Sequence, residues 1–398
     1  MCYNPRSNDE KKAIACRRQA SSLYFEEGWS RARIAQRLGV SRMFVHRWTQ
    51  DATRPLAADG RGWRKGTGRR WSADTHRRLV AIAEELRTDP TEFFAGATAV
   101  IQAFRARFPD EAVPALRTVG RTLAQAGLTR QSRPRGRGAA RYLCYPEHTV
   151  YTQLGTRVSE LDAIGPKFLR GTSTPLFFLG ISFKQPPRWR YFLRAEDITA
   201  STLIRHCAAF FDAWERPDVM KVDNGPGMSG SQSAVRTVSR FVQFLLRHEV
   251  TPVFAVPRRP FSQASIEGNN SVFARHFWRR WTFLSSTEVD LQLAWFNAAS
   301  ARYCGYTPPP VRSRAPFEPK IFFIRQVREG APGHAAIHVA NATVPVPVAY
   351  VNLFLLAEWH LGTQQLTVSL ERDQQLEQIV QIPFHLHPKT KLDRGIRV

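Results

Sequence analysis

Short apolar clusters at helical spacing open the chain. Residues 21–27 read as a short helix ended by Gly28. Residues 31–38 read as a second helix behind a Ser30 cap, and 42–50 as a third behind Ser41, with Gly39 as the left-handed turn residue. Ile34, Ala35, Leu38, Val40, Val45 and Trp48 fall where three packed helices need small or apolar side chains. Arg42, Met43, His46 and Arg47 are left facing outward. Three further helical patterns follow at 72–86, 97–108 and 116–126, punctuated by Pro90, Pro109 and Pro114.

From about Tyr145 the period shortens towards two. Strands are expected at 158–164, 175–183 and 189–195, then a helix at 201–214, a strand at 219–222 and a helix at 234–248. A strand at 253–256, a helix carrying Glu267 and another helix at 289–303 complete this region. Beyond Pro316, strands at 335–339, 344–351, 365–370 and 378–382 alternate with turns and predict a small β-barrel. Two Gly- and Arg-rich stretches, 60–70 and 130–138, read as basic linkers able to track phosphates or to act as solvated hinges. The expected division is therefore a helical unit at 1–58, a linker at 59–71, a second helical unit at 72–129 and a linker at 130–149. An α/β core at 150–314 and a C-terminal barrel at 315–398 follow.

Charge then narrows the partner. The 398 residues carry 57 Lys/Arg against 33 Asp/Glu, a formal charge of +24, and the first 150 residues and the remainder are both net basic. A polyanion running along the molecule fits best, and nucleic acid is the expected partner; charge kept for solubility or for acidic membranes is the plainer alternative. Cys2, Cys16, Cys144, Cys207 and Cys304 are dispersed and odd in number, which fits reduced thiols rather than a disulfide framework or a zinc module. No stretch approaches a membrane span, so a cytoplasmic protein is expected.

The 31–50 pattern resembles the helix-turn-helix family, in which Arg42, His46 and Arg47 would reach DNA. Arg117 and Arg121, one turn apart on the helix at 116–126, mark a second recognition helix or a plain packing helix. Three acidic residues sit in local frames of their own: Asp162 in Ser159-Glu160-Leu161-Asp162, Asp223 in Val222-Asp223-Asn224-Gly225-Pro226, and Glu267 in Ser265-Ile266-Glu267-Gly268-Asn269-Asn270. Two strand-borne aspartates and a helical glutamate are hard oxygen ligands of the kind that neutralise charge during phosphoryl transfer. On the last helix Glu267, Asn270, Ser271 and Arg275 form a polar face, with Arg275 placed to meet a phosphate and Arg279 and Arg280 continuing the basic run. Ile266, Phe273 and Phe277 form the apolar side.

With 60 residues between the aspartates and 43 between Asp223 and Glu267, this order resembles the Asp-Asp-Glu core of transposases and retroviral-type integrases. The paired helical units resemble the arms of bacterial insertion-sequence transposases. Ala264 stands where that family often has Gly, Gly268 where it often has Arg, and Leu161 where an aromatic is common. The resemblance implies a multidomain protein, with helix-turn-helix units before a ribonuclease-H-like α/β core. It also implies Asp162, Asp223 and Glu267 as catalytic and metal-binding residues holding two Mg²⁺ or Mn²⁺ per site. Terminal inverted repeats and target DNA would be the substrates, a homo-oligomer would join the ends, and an ATP-dependent helper is left open. The alternatives are a non-catalytic, domesticated relative acting as a DNA-binding regulator, and a nuclease that hydrolyses without joining.

Overall fold

Capping decides where the first helices begin and end. In the computed structural model, which describes residues 10–53, 71–129, 145–230, 233–308, 316–393 and 395–396, helix α1 (Glu10–Phe25) precedes α2 (Arg31–Leu38) and α3 (Arg42–Trp48). Both linkers, at 60–70 and 130–138, lie outside the described residues, as do Cys2 and Cys144. The Ser30 side chain accepts the Arg33 N–H and the Ser41 side chain accepts the Phe44 N–H, so each helix has an otherwise orphaned donor satisfied. Gly39 closes α2 at φ 64°, the left-handed region that favours glycine. Helix α1 is longer than the segment expected at 21–27 and ends two residues earlier. Ile34, Ala35, Val40, Val45 and Trp48 are buried as expected; Phe44 joins them, and Leu38 is only partly covered. Phe44 follows from the 3.6-residue period, which places it one turn before Trp48.

Contacts divide the chain at Ser72, and Ala73–Val398 form the second unit. It opens with α4 (Ala73–Thr88), α5 (Ala97–Arg107) and α6 (Leu116–Gln125), which bury Leu79, Ile82, Val100, Phe104, Val119 and Leu123 between them. The turn after α4 is tied to the rest of this unit by aromatic packing: Phe94 stacks on Tyr303 with centroids 4.5 Å apart.

The α/β core has the expected element order. Strands β1 (Val158–Phe168), β2 (Pro175–Phe183) and β3 (Arg190–Ala195) form an antiparallel meander. Helix α7 (Ala200–Ala213), β4 (Val219–Val222), the short α8 (Pro226–Ser229), α9 (Arg240–Arg247) and β5 (Thr251–Phe254) follow. β4 lies parallel to β1, and β5 parallel to β4. Helix α10 (Ala264–Phe273), extended by a π-helical turn at Ala274–Trp278, and α11 (Ser286–Cys304) complete the layer. Residues 234–239, expected to be helical, are not: Arg236 sits at φ 55° and α9 starts only behind the Ser239 cap.

The C-terminal barrel is replaced by something else. Of β6 (Lys320–Gln326), β7 (Arg328–Glu329), β8 (Ala335–Val339), β9 (Ala342–Val346), β10 (Phe354–His360), β11 (Gln365–Arg372) and β12 (Gln375–Pro383), four extend the central sheet. Among the described residues the order is β12-β11-β10-β6-β5-β4-β1-β2-β3, while β7, β8 and β9 make a separate small sheet. The reason lies in β6. Its Ile321–Ile324 run is buried on both faces, and it pairs in parallel with β5, whose backbone groups would otherwise be left at an open edge.

Candidate active site

Register brings the two aspartates together. In the parallel pairing of β1 with β4, Val158 lies opposite Val219 and Glu160 opposite Lys221. Glu160 and Lys221 each stand two residues before a site aspartate, and the Asp223 charge acts on Asp162 just where β4 ends and the chain turns. Because strand side chains alternate, Glu160, Asp162, Lys221 and Asp223 share one face of the sheet. Leu161 and Val222 point the other way into the main apolar core.

Helix α10 is clamped onto that face from two directions. Asn270 Nδ2 donates to Asp162 Oδ2 at 2.7 Å, and Asn269 Nδ2 donates to Ser182 Oγ on β2. At the other end the helix has no side-chain N-cap of its own. Instead the fully buried Glu160 reaches across from β1, and its Oε2 accepts the Ile266 N–H at 2.8 Å. A carboxylate at a helix N-terminus satisfies an orphaned donor and complements the dipole. Glu160 Oε1 accepts the Tyr151 hydroxyl at 2.5 Å, and Lys221 Nζ donates to Tyr151 Oη at 2.7 Å and to the Ser262 carbonyl. Lys184 and Lys221 lie 3.7 and 3.9 Å from Glu160 Oε1. Gly180, paired with Asp162 across β1–β2, leaves room for this contact: a Cβ there would sit 3.3 Å from Asn270 Oδ1 and 3.1 Å from the Phe192 ring.

The clamp places Glu267 in the first turn of α10, exposed, one turn before Asn270. Ile266, Phe273 and Phe277 are fully buried, so the apolar side of the helix packs as its pattern predicts. The electrostatics link the three carboxyls. Burial pushes Asp162 up from 3.8 to about 6; the Asn270 hydrogen bond opposes this, and the charges of Asp223 and Glu267 add to it. Glu267 is raised as well, by partial burial and by the Glu160 charge. Asp223 Oδ1 accepts the Gly225 N–H at 2.7 Å, which holds the turn after β4.

These are hard oxygen donors in mutual repulsion, the chemistry that a divalent cation relieves. Among the described residues, however, no three His, Cys, Asp or Glu side chains group closely enough to hold an ion. Asp223 is the nearer charge by its effect on Asp162. Glu267 is near enough to be felt as charge without completing a ready three-ligand shell.

Likeness to known proteins is spread thinly over the chain. Residues 15–54 match the family model of a putative ATPase subunit of terminase (gpP-like), the segment that holds α2 and α3. No curated protein matches the sequence. Among solved structures, 76% of the chain aligns with the whole of a chain in the simian T-cell lymphotropic virus intasome bound to PP2A regulatory subunit B56 gamma, at 11% identity and a TM-score of 0.34. The Mos1 mariner paired-end complex with Mn aligns over 75% of this chain and 93% of its own, at 12% identity and 0.27. The Mos1 transposase paired-end complex with left transposon end gives 75%, 94%, 13% and 0.25. Scores of this size assign neither fold nor chemistry.

The other expected contact residues separate by environment. Arg42 is exposed at the start of α3, with His46 and Arg47 half-buried further along it. Arg117 and Arg121 are exposed on α6, opposite its buried Val119 and Leu123. Arg275 is exposed, and its Nε donates to the Ser271 carbonyl. Arg280 has a different task. Its guanidinium donates to the carbonyls of Glu92 and Asp89, tying the turn after α4 to the core. Sequence reading passed over Glu160, Tyr151 and Lys221. A signal was present, since Glu160 and Lys221 each stand two residues before a site aspartate and therefore on its face of the strand.

Proposed function

We propose that this protein is a DNA strand transferase of the Asp-Asp-Glu type, binding element ends through its helical units and cutting and joining them at the Asp162–Asp223–Glu267 face. The observation that carries the reading is that the charges of both Asp223 and Glu267 act on a desolvated Asp162. Asp162 and Asp223 would hold Mg²⁺ or Mn²⁺, with Glu267 as the third ligand. The ions would supply charge neutralisation at the attacking and leaving oxygens of an in-line displacement. The chain's own residues hold the site open to that chemistry: Glu160 fixes the start of α10, and Asn270 holds Asp162. Arg275 stands exposed two turns beyond Glu267 to meet a phosphate. Arg42, His46 and Arg47 would contact terminal repeats from α3, and Arg117 and Arg121 from α6, mainly at phosphates. Joining two ends calls for a homo-oligomeric synapse on double-stranded DNA, and a helper ATPase is compatible with it.

The test uses the full chain and DNA from either side of its coding region. Wild-type protein with Mg²⁺ or Mn²⁺ is expected to nick an element end and join the 3′-hydroxyl to a target. Asp162→Ala, Asp223→Ala and Glu267→Ala should retain end binding and lose cleavage. Cleavage surviving in all three variants would refute the site. A second reading, a DNA-binding regulator with a silent core, rests on the lack of three grouped ligands among the described residues; it predicts end binding with no metal-dependent product from the wild type. Hydrolysis without joining would indicate a nuclease.

A further inference from the structure

On the opposite face of the sheet from α10, beneath α9 and the small β7–β9 sheet, lies a cavity of about 290 Å³. Phe254 and Phe323, stacked with centroids 5.1 Å apart, contribute to its apolar wall together with Val242. Arg325, only 7% exposed, is the charged residue lining it. Its guanidinium donates from Nε to the His338 carbonyl, from Nη1 to the Ala255 and Ile324 carbonyls, and from Nη2 to Asn224 Oδ1, at 2.7 to 2.9 Å. Every one of these acceptors is neutral, and among the described residues no carboxylate pairs with it. Of the five N–H groups of an arginine, four are accounted for and one remains.

A buried cation without a counter-charge is costly, and proteins usually neutralise it. Burial alone pulls the Arg325 guanidinium down to about 9. The rest of the lining leaves that counter-charge to be brought by a bound anion. It contains hydroxyls and amides (Ser229, Thr237, Asn224, Asn341) and no Asp or Glu, and the first turn of α9 borders it. The volume is near the lower end of ordinary small-ligand pockets.

We propose that this cavity is a binding site for a phosphate monoester group, held by the remaining Arg325 N–H and the second amide N–H of Asn224, while the lining hydroxyls of Ser229 and Thr237 donate to backbone carbonyls. The group comes either from a free phosphorylated small molecule or from the terminal phosphate of a DNA strand. The site does not depend on the transferase reading. It adjoins that site through Asn224, whose side chain joins Arg325 to the Ala255 carbonyl directly after Asp223.

Calorimetric titration of the full chain with inorganic phosphate, at a fixed ionic strength that suppresses diffuse binding to its positive surface, tests the inference. One saturable site is expected. Asn341→Asp, at a position whose φ of 60° an aspartate also adopts, places a negative charge on the lining and should weaken binding by about tenfold or more. Arg325→Gln should abolish binding, and the Asn341→Asp arm carries the test if that variant fails to fold. Competition by a 5′-phosphorylated oligonucleotide, and not by its 5′-hydroxyl counterpart, would assign the group to DNA. Competition by a nucleoside monophosphate alone would assign it to a small molecule. Absence of a saturable site, or equal affinity in folded Asn341→Asp, would overturn the proposal.

Discussion

Asp162 concentrates the site's electrostatics in one residue. Its folded value of about 6 lies above its ordinary 3.8. The fold therefore favours the protonated carboxyl, and the stability this contributes is fully present below about pH 4 and lost as pH rises through 6. At 1.36 kcal/mol per unit, the loss is on the order of 2–3 kcal/mol. Asp162→Asn should accordingly raise the metal-free melting temperature at pH 8 and leave it unchanged near pH 4. Added Mg²⁺ should stabilise the wild type at pH 8 and not the variant. Equal melting of the two proteins at pH 8 without metal would show that the carboxylate is well solvated. Gly180 is the neighbouring control. Gly180→Ala would set a Cβ 3.3 Å from Asn270 Oδ1 and 3.1 Å from the Phe192 ring, so its melting temperature reads how far those two side chains can give.

At the scale of the element, α10 is held by residues of β1 rather than by its own caps. Removing the Glu160 carboxylate frees the Ile266 N–H and leaves buried Lys221 without its acid, so Glu160→Ala should cost about 3–5 kcal/mol. Hydrogen exchange should show the gain in mobility concentrated at 264–273. A uniform loss of protection across the sheet would count against a clamp acting on one helix. Most elements here were legible because their patterns are local. β2 and β4 match their expected limits, as does α2 between two strong punctuation residues, Ser30 and Gly39. β6 and β10 were missed because Ile321–Ile324 and Phe354–Ala357 are unbroken apolar runs, which carry no alternation to separate a strand from a buried helix.

For the whole molecule, the two units of the chain predict separable behaviour. Trp48→Ala removes a fully buried side chain from the first unit and should cost it about 3–5 kcal/mol. DNA affinity should fall while the melting of the larger unit stays unchanged. The net charge of +24 predicts that DNA affinity falls linearly on a log–log plot against salt. Arg42→Ala and Arg117→Ala should each reduce that slope by about one if they contact phosphates. An unchanged slope for Arg117→Ala would make α6 a packing helix.

Local chemistry, written in the order of residues, was enough to determine the caps, most strands, the polar and apolar sides of α10 and the three acidic frames. It could not determine what those frames meet. Asp162 feels the Asp223 charge because β4 pairs in parallel with β1, and Glu160 holds α10 only because the helix lies over that same face. The final strands extend a sheet instead of closing a barrel because an edge far back in the chain needed backbone partners. Each of these outcomes depends on contacts between distant residues, and periodicity within a window carries no record of them.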